Sequence, residues 1–296
     1  MTRMTRTTRG LALAAAAAAA ALVLGGCAGD PGTLGGDDAE PTVAPEPTFE
    51  AGTTMAALAD AGKITIGTKF DQPLFGLMGP SGTPEGFDVE IGKIIAGKLG
   101  IAPDDIEWVE TVSANREPFI ENGQVDLVVA TYTINDKRKE VVSFAGPYYL
   151  AGQSILVLAD NDTIKSEEDL VGQNVCSVTG STPAAKLAEI GAVPFLTDTY
   201  SNCLEPLRSG QVVAVSTDNV ILAGLSAQNP GEFKVVGEPF TEEPYGIGVK
   251  LDDTDFRMWI NDVLEESYED GSYEAAWEST AGQELPFAEP PAVDRY

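Results

Sequence analysis

The segment Gly86-Phe87-Asp88-Val89-Glu90-Ile91, which continues through Leu99, decides the fold of this chain. Its apolar side chains recur on one helical face, and they are Ile91, Ile94, Ile95 and Leu99. Asp88 suits the positive end of a helix near its start, and Gly100 is a typical stop. The segment therefore predicts an amphipathic helix whose apolar face packs against another element.

Short β-branched runs alternate with helical patterns on both sides of this segment. The predicted strands are residues 64–66, 106–109, 125–130, 155–158, 174–178, 212–215, 234–236 and 247–249. A further apolar stripe over residues 256–264 predicts a helix, and we assign the rings of Trp259 and Trp277 to the core. The alternation predicts an α/β fold with open, mostly parallel sheets flanked by helices.

Charge and composition exclude several classes of function. The 296 residues include 18 basic and 46 acidic ones, a formal net charge of −28, and no histidine. Such a charge repels nucleic acid and anionic lipid head groups, so we expect neither as a partner. Without histidine there is no Ser-His-Asp triad and no His-ligated zinc. The acidic clusters at 160–162 and 252–255 follow no calcium-loop pattern, so no metal and no cofactor is expected.

The N-terminal region has the features of an exported lipoprotein. Three arginines precede an apolar run over residues 11–24, and the run ends in Leu24-Gly25-Gly26-Cys27, which resembles a bacterial lipobox. We therefore predict a signal peptide over 1–27, lipid attachment at Cys27 and an extracytoplasmic protein anchored to the cell membrane by that lipid alone. A plain signal peptide with a chance cysteine is the alternative. Residues 28–55 are rich in Gly, Pro and acids, and they predict a flexible tether.

Export also changes the interpretation of the other two cysteines. With Cys27 lipidated, Cys176 and Cys203 remain, and both the compartment and the even number favour a disulfide. Two reduced, buried cysteines are the alternative.

Polar side chains follow three predicted strands at the point where a helix begins. They are Thr131 and Thr133 before Arg138, Ser181 and Thr182, and Asp218. Helix caps are the ordinary explanation for any one of them. Ligands of open α/β sheets gather at such junctions, however, and hydroxyls with one arginine and one acid suit a small zwitterion.

The segment from Gly86 resembles the signature of extracellular solute-binding proteins for polar amino acids, the capture subunits of ATP-driven importers. The resemblance continues through Asn115-Arg116 and residues 144–149, 176–182 and 211–222. It implies two α/β lobes, joined by two crossing strands near 149–154 and 243–248, with the ligand enclosed between them. One lobe would combine 56–150 with 247–296, and the other would be 151–246. We assign Phe87 to the core and the acids of the signature to the helix start.

The resemblance also implies roles for the junction residues. Arg138 matches the arginine that clamps the ligand α-carboxylate, and Asp218 matches the acid that receives the ammonium. Thr131 and Thr133 would add contacts, and Ser181 with Thr182 would close over the carboxylate from the second lobe.

Specificity for the ligand side chain is expected elsewhere. Lys69 and Arg116 occupy positions where glutamate- and aspartate-binding members place basic residues, so we expect an acidic amino acid, glutamate or aspartate. Ordinary solvated charges are the alternative. Many relatives also have an aromatic ring after the first strand that packs on the ligand; here Phe70, Phe75 or neither would serve, and Gln72 is a further candidate.

The expected function is therefore that of a monomeric binding protein that delivers an amino acid to membrane permease subunits. Two alternatives remain open at this point. One is an enzyme of the same fold, such as a dehydratase acting on a small carboxylic acid, and the other is a sensory amino-acid-binding module.

Overall fold

The computed structural model describes residues 42–296. The predicted signal peptide and Cys27 lie outside these residues. In chain order the strands are β1 (Ile64–Thr68), β2 (Asp71–Gln72), β3 (Gly76–Met78), β4 (Pro84–Glu85), β5 (Ile106–Glu110), β6 (Leu127–Val128), β7 (Val142–Ala151), β8 (Gln153–Leu158), β9 (Asn174–Val178), β10 (Val193–Thr197), β11 (Ala214–Asp218), β12 (Phe233–Val236) and β13 (Glu243–Lys250). The helices are α1 (Thr54–Ala61), α2 (Phe87–Lys98), α3 (Arg116–Glu121), α4 (Asp136–Lys139), α5 (Thr182–Glu189), α6 (Leu204–Arg208), α7 (Asn219–Gln228), α8 (Thr254–Asp270) and α9 (Ser272–Ser279).

Two five-stranded sheets form the two lobes. The first has the order β5-β1-β6-β13-β7, and the second has the order β10-β9-β11-β8-β12. In each sheet the first three strands are parallel and the last two pairings are antiparallel. The α/β prediction is confirmed, but the sheets are mixed. The antiparallel pairings involve β13 in the first sheet and β8 in the second, and these are the strands by which the chain enters each sheet from the other one.

The chain passes between the two sheets twice. It leaves the first sheet at the end of β7 and enters the second as β8, and it returns between β12 and β13. Strands β7 and β13 pair along most of their length, from Glu243 opposite Ala151 to Lys250 opposite Val142. The two crossing strands that the family resemblance implies are therefore side by side, and the lobes are joined at this pair.

Helix α2 forms where the signature segment predicts it. Its buried face includes Ile91 and Ile95, both fully enclosed. Gly86 precedes the helix with φ +129°, and a Cβ there would overlap the backbone of Phe75, so this position requires glycine. The helix packs on β1, α8 and α9, which fixes its start at the edge of the first lobe.

Residues 42–53 are in contact with the first lobe, whereas the sequence predicted a flexible tether over 28–55. The amide of Ala44 donates to the carbonyl oxygen of Gly97 at 2.8 Å, and the ring of Phe49 packs edge-on against Trp259 at 5.7 Å. Thr53 then caps α1 by accepting from the amide of Ala56. The composition is polar on average, but one aromatic anchor and a helix cap hold this part against the first lobe.

The predicted disulfide between Cys176 and Cys203 is present, with the Cα atoms 5.6 Å apart. It joins β9 to a turn of 3-10 helix, Ser201–Cys203, and spans a sequence separation of 27 residues. A loop of that length stabilises the fold by roughly 3–4 kcal/mol on the chain-entropy model.

Between residues 42 and 296, no helix has the length and apolar character needed to cross a bilayer. The same part of the chain holds no group of three or more Cys, Asp or Glu side chains arranged to bind a metal ion.

Candidate functional site

Four of the side chains predicted to bind a ligand come together where the two lobes face each other. Lys69, Arg116, Arg138 and Asp218 are all buried, with exposed fractions between 3% and 6%. Lys69 and Arg116 are therefore not solvated surface charges. Burying three basic groups in one place is costly unless anions compensate them, which is the first sign that the site receives an anion.

The two arginines lie over the ring of Tyr132. The guanidinium carbon of Arg116 is 4.2 Å from the ring centroid, and that of Arg138 is 5.0 Å away. Arg116 also donates from Nη1 to the carbonyl oxygens of Ala130 and Thr131, each at 3.2 Å. Tyr132 is fully buried, and its ring stabilises both guanidinium groups through cation–π interactions. The sequence alone gave no indication of this ring.

Arg138 is oriented by helix α4. The side chain of Asn135 accepts from the Arg138 amide at 2.9 Å and so begins the helix there. Nη1 donates to the carbonyl oxygen of Thr133 at 2.7 Å, Nη2 donates to that of Gly180 at 3.1 Å, and Nε lies 3.3 Å from a carboxylate oxygen of Glu117. Burial, with Arg116 nearby, lowers the pKa of Arg138 to about 10. Each terminal nitrogen keeps a second N–H for a carboxylate.

Lys69 follows β1 and points at the same region. Its Nζ donates to the hydroxyl of Ser113 at 2.9 Å. Burial, followed by the charge of Arg116, lowers the pKa of Lys69 to about 7, although Asp71 acts in the opposite direction. An anion placed beside Lys69 would stabilise the ammonium form and raise this pKa again.

Asp218 is the last residue of β11, and it is an acid, whereas Lys69 is a base. One carboxylate oxygen accepts from the Tyr245 hydroxyl at 2.6 Å, and the other has no partner within residues 42–296. Burial, followed by Glu243, raises the pKa of Asp218 to about 7. A buried carboxylate oxygen without a donor suits an incoming ammonium group.

Thr131 is held in an unusual conformation by Asp88. Its φ is +44°, its amide donates to one Asp88 oxygen at 2.7 Å, and its hydroxyl donates to Oε1 of Gln72 at 2.9 Å. The other Asp88 oxygen accepts from the hydroxyl of Tyr148 at 2.5 Å. Asp88 lies in the first turn of α2, as predicted, but its carboxylate is fully buried and also fixes the loop that precedes Arg138.

The hydroxyls of the second lobe are already engaged within the protein. Ser181 accepts from the amide of Ala184 at 3.1 Å and so caps α5, while its own hydroxyl donates to the carbonyl oxygen of Val178. The hydroxyl of Thr182 lies 3.4 Å from that of Thr133 and donates to Glu243 at 2.7 Å. Thr182 therefore connects the two lobes, and Ser181 is a cap at the edge of the site.

The two candidate aromatic rings differ in position. Phe75 is fully enclosed and packs against core rings, namely Phe87, Tyr149, Tyr245 and Trp277. Among the alternatives of Phe70, Phe75 or neither, this position disfavours Phe75, because the turn between β2 and β3 directs its ring into the core. Phe70 is half-buried and lines a separate cavity of about 310 Å³ together with Trp108 and Met78.

Comparison with known proteins identifies the family of this chain. The family model of bacterial extracellular solute-binding proteins, family 3, matches residues 64–280. The glutamate-binding protein GluB of Corynebacterium efficiens is 44% identical over 247 residues, which cover 79% of this chain and 84% of that protein. The ABC transporter glutamine-binding protein GlnH of Bacillus subtilis is 40% identical over 227 residues, covering 75% and 82%.

Solved structures agree on the fold. An ancestral arginine-binding protein bound to glutamine superposes with a TM-score of 0.70 at 37% identity and covers 74% of this chain and 97% of its own. The solute receptor for L-cysteine of Neisseria gonorrhoeae gives a TM-score of 0.75 at 31% identity, covering 81% and 99%. The enzymatic alternative is thereby set aside, and this amino-acid receptor belongs to the bacterial extracellular solute-binding proteins of family 3.

Proposed function

We propose that this protein captures L-glutamate, with aspartate as a second acidic ligand, and delivers it to the permease of an ATP-driven importer. The observation that carries the proposal is the burial of Lys69 and Arg116 beside Arg138, each with an exposed fraction of 6% or less. These groups interact electrostatically, since Arg116 and Arg138 both lower the pKa of Lys69.

The charges of glutamate match the site one by one. Its α-carboxylate would take the two remaining N–H groups of Arg138 in the parallel geometry that guanidinium favours. Its ammonium would approach the unpartnered oxygen of Asp218. Its side-chain carboxylate would compensate Lys69 and Arg116, with Gln72 and Thr131 at the edge of the same space. Glutamine would leave the basic pair without an anion.

Both kinds of ligand appear among the relatives, one of which is named for glutamate and another for glutamine. We assign glutamate to this chain because a buried lysine beside an arginine gains more from a carboxylate than from an amide. Thr133 would line the site, and Thr182 would close it from the second lobe, which we take as residues 151–246.

The proposal includes the cell-envelope context. Residues 1–27 would direct export, and Cys27 would carry the lipid that anchors a monomeric protein outside the cytoplasm. The Gly- and Pro-rich stretch that follows would give it reach to the permease.

Calorimetric titration with L-glutamate, L-aspartate and L-glutamine tests the assignment. We expect glutamate to bind roughly tenfold or more tightly than glutamine, since an unpaired buried charge costs on the order of 1–3 kcal/mol. Lys69→Gln is expected to abolish that preference, whereas Lys137→Gln, at an exposed lysine beside Arg138, should leave it unchanged. Arg138→Ala should remove the binding of both ligands. Glutamine binding at least as tight as glutamate would reject the proposal.

A further inference from the structure

Asp71 connects the two lobes through backbone groups. One of its carboxylate oxygens accepts from the amide of Tyr200 at 2.9 Å and from the amide of Ser201 at 3.4 Å. Asp71 belongs to β2 on the first lobe, whereas the two amides precede and begin the 3-10 helix of the second lobe. Hydrogen bonds to a carboxylate are stronger than those between neutral groups.

Both ends of this contact are fixed by their own lobe. Asp71 pairs with Leu77 in the β2–β3 hairpin. On the other side, the disulfide at Cys203 holds the turn against β9, and the hydroxyl of Thr197 donates to the carbonyl oxygen of Thr199 at 2.8 Å. Because neither partner is on a free loop, the contact forms only when the lobes approach each other.

The same hairpin meets the second lobe at a second point. Pro73, two residues after Asp71, lies so close to helix α7 that a Cβ on Gly224 would overlap the carbonyl oxygen of Pro73. Gly224 is inside the helix, where alanine is ordinarily the more favourable residue. The close approach of the two lobes explains the glycine at position 224, because the helix alone would favour alanine.

We propose that Asp71 and the Pro73–Gly224 contact form a closure surface that stabilises the closed form without contacting the ligand. Two other contacts between the lobes, Arg138 with Gly180 and Thr133 with Thr182, use residues assigned to the ligand. Asp71 and Gly224 are not among those residues, so they act as positioning residues whose effect is on the opening of the lobes. The inference rests on the proposed binding function and extends it.

Asp71 also gives a test at a residue outside the ligand site. Its negative charge lies near Lys69, where it would repel a ligand carboxylate and also raises the pKa of Lys69. These two effects of the charge oppose each other, whereas loss of the closure contact speeds ligand release. We expect Asp71→Ala to dissociate L-glutamate roughly tenfold faster, with little change in the association rate. Asp71→Asn, which keeps an acceptor oxygen, should fall between the wild type and Asp71→Ala.

The variant Gly224→Ala tests the closure surface independently of Asp71. In the ligand-free protein the substitution should shift the lobes toward the open form, in which alanine favours the helix, so the midpoint of thermal unfolding should stay within about 2 °C of the wild type. In the presence of L-glutamate the same variant should release the ligand faster than the wild type. Asp105→Ala, at an exposed aspartate on the first lobe, is the charge-matched control and should change neither rate.

Stopped-flow fluorescence and amide hydrogen exchange provide the measurements. Ligand should slow exchange at the amides of Tyr200 and Ser201 in the wild type and fail to do so in Asp71→Ala. Unchanged or slower glutamate release in both Asp71→Ala and Gly224→Ala would overturn the closure surface. Should the wild type bind L-glutamine and not L-glutamate, the glutamate assignment falls, and the same release and exchange measurements with glutamine still decide the closure surface.

Discussion

Lys69 and Asp218 each change charge near neutral pH, because burial brings the pKa of both to about 7. Glutamate requires the charged form of each. Its side-chain carboxylate selects the ammonium form of Lys69, which is lost as the pH rises above 7, and its ammonium selects the carboxylate of Asp218, which is lost as the pH falls below 7. The affinity for glutamate should therefore peak near pH 7 and fall on both sides by up to about tenfold per pH unit.

Calorimetry at pH 5.5, 7 and 8.5 measures this profile. Repeating the titrations in two buffers with different ionisation enthalpies should reveal proton uptake on binding at pH 8.5 and proton release at pH 5.5. Lys69→Gln should remove the loss of affinity above pH 7 and leave the loss of affinity below pH 7 unchanged. An affinity that stays constant over these three pH values would contradict the assigned pairing.

At the scale of single residues, sequence reasoning succeeded where a charge was rare and failed where a role depended on the surroundings. Lys69 and Arg116 stood out because the chain has few basic residues, and both are buried as that reasoning required. The second role of Asp88, which is to support the loop before Arg138, was missed because an acid in the first turn of a helix is usually solvated. Tyr132 and Tyr245 were missed because only the folded chain brings their rings and hydroxyls to the site.

The start of helix α2 is an element whose stability depends on one carboxylate. Asp88→Ala would leave the amide of Thr131 and the hydroxyl of Tyr148 buried without an acceptor. We expect the free energy of unfolding to fall by about 3 kcal/mol, because each buried donor loses its partner. Glutamate binding should weaken as well, since the loop that carries Thr131 loses its support.

Urea denaturation at pH 7 measures the stability change, and Glu90→Ala is the matched control. Glu90 lies in the same first turn but pairs with Lys93 on the partly exposed face. Its removal should cost less than about 0.5 kcal/mol. If Asp88→Ala is no more destabilising than Glu90→Ala, then the buried carboxylate does not support the loop.

The elements themselves were predicted well where apolar runs are uninterrupted. The runs at 64–66, 106–109 and 174–178 lie within β1, β5 and β9. Strand β7 was largely missed because Gly146-Pro147 is typical of a turn, and β10 because it contains Pro194. That proline is tolerated since β10 is an edge strand, paired only with β9 among the described residues.

At the scale of the whole molecule, the family resemblance predicted two lobes but not how they touch. Asp71 and Tyr200 are separated by 129 residues, and nothing near either in the sequence indicates the other. The lobe contacts depend on the angle between two sheets, which the crossing strands set. The sequence pattern encodes each sheet separately, so the geometry of their approach required the structure.

The buried charges also predict how the stability of the ligand-free protein depends on pH. Asp88 and Asp218 have folded pKa values of about 7 against an ordinary 3.8, so the folded state binds more protons between pH 4 and 7. Stability should therefore fall as the pH rises through that interval, by about 1 kcal/mol per pH unit for each group. Lys69, lowered from 10.5 to about 7, makes the unfolded state the better proton binder above pH 7, so stability should rise there.

The ligand-free protein should consequently show a stability minimum near pH 7, where most proteins are near their maximum. Saturating glutamate should remove the minimum, because its charges pair with Lys69 and Asp218 and return both pKa values toward their ordinary ranges. Urea denaturation at pH 5, 7 and 9 and constant ionic strength measures both curves. Asp218→Asn should halve the slope of the ligand-free curve on its acidic side, because Asp88 remains, and Lys69→Gln should flatten the alkaline side. A ligand-free maximum at pH 7 would mean that these groups are solvated in solution, and the buried basic site that favours glutamate would lose its basis.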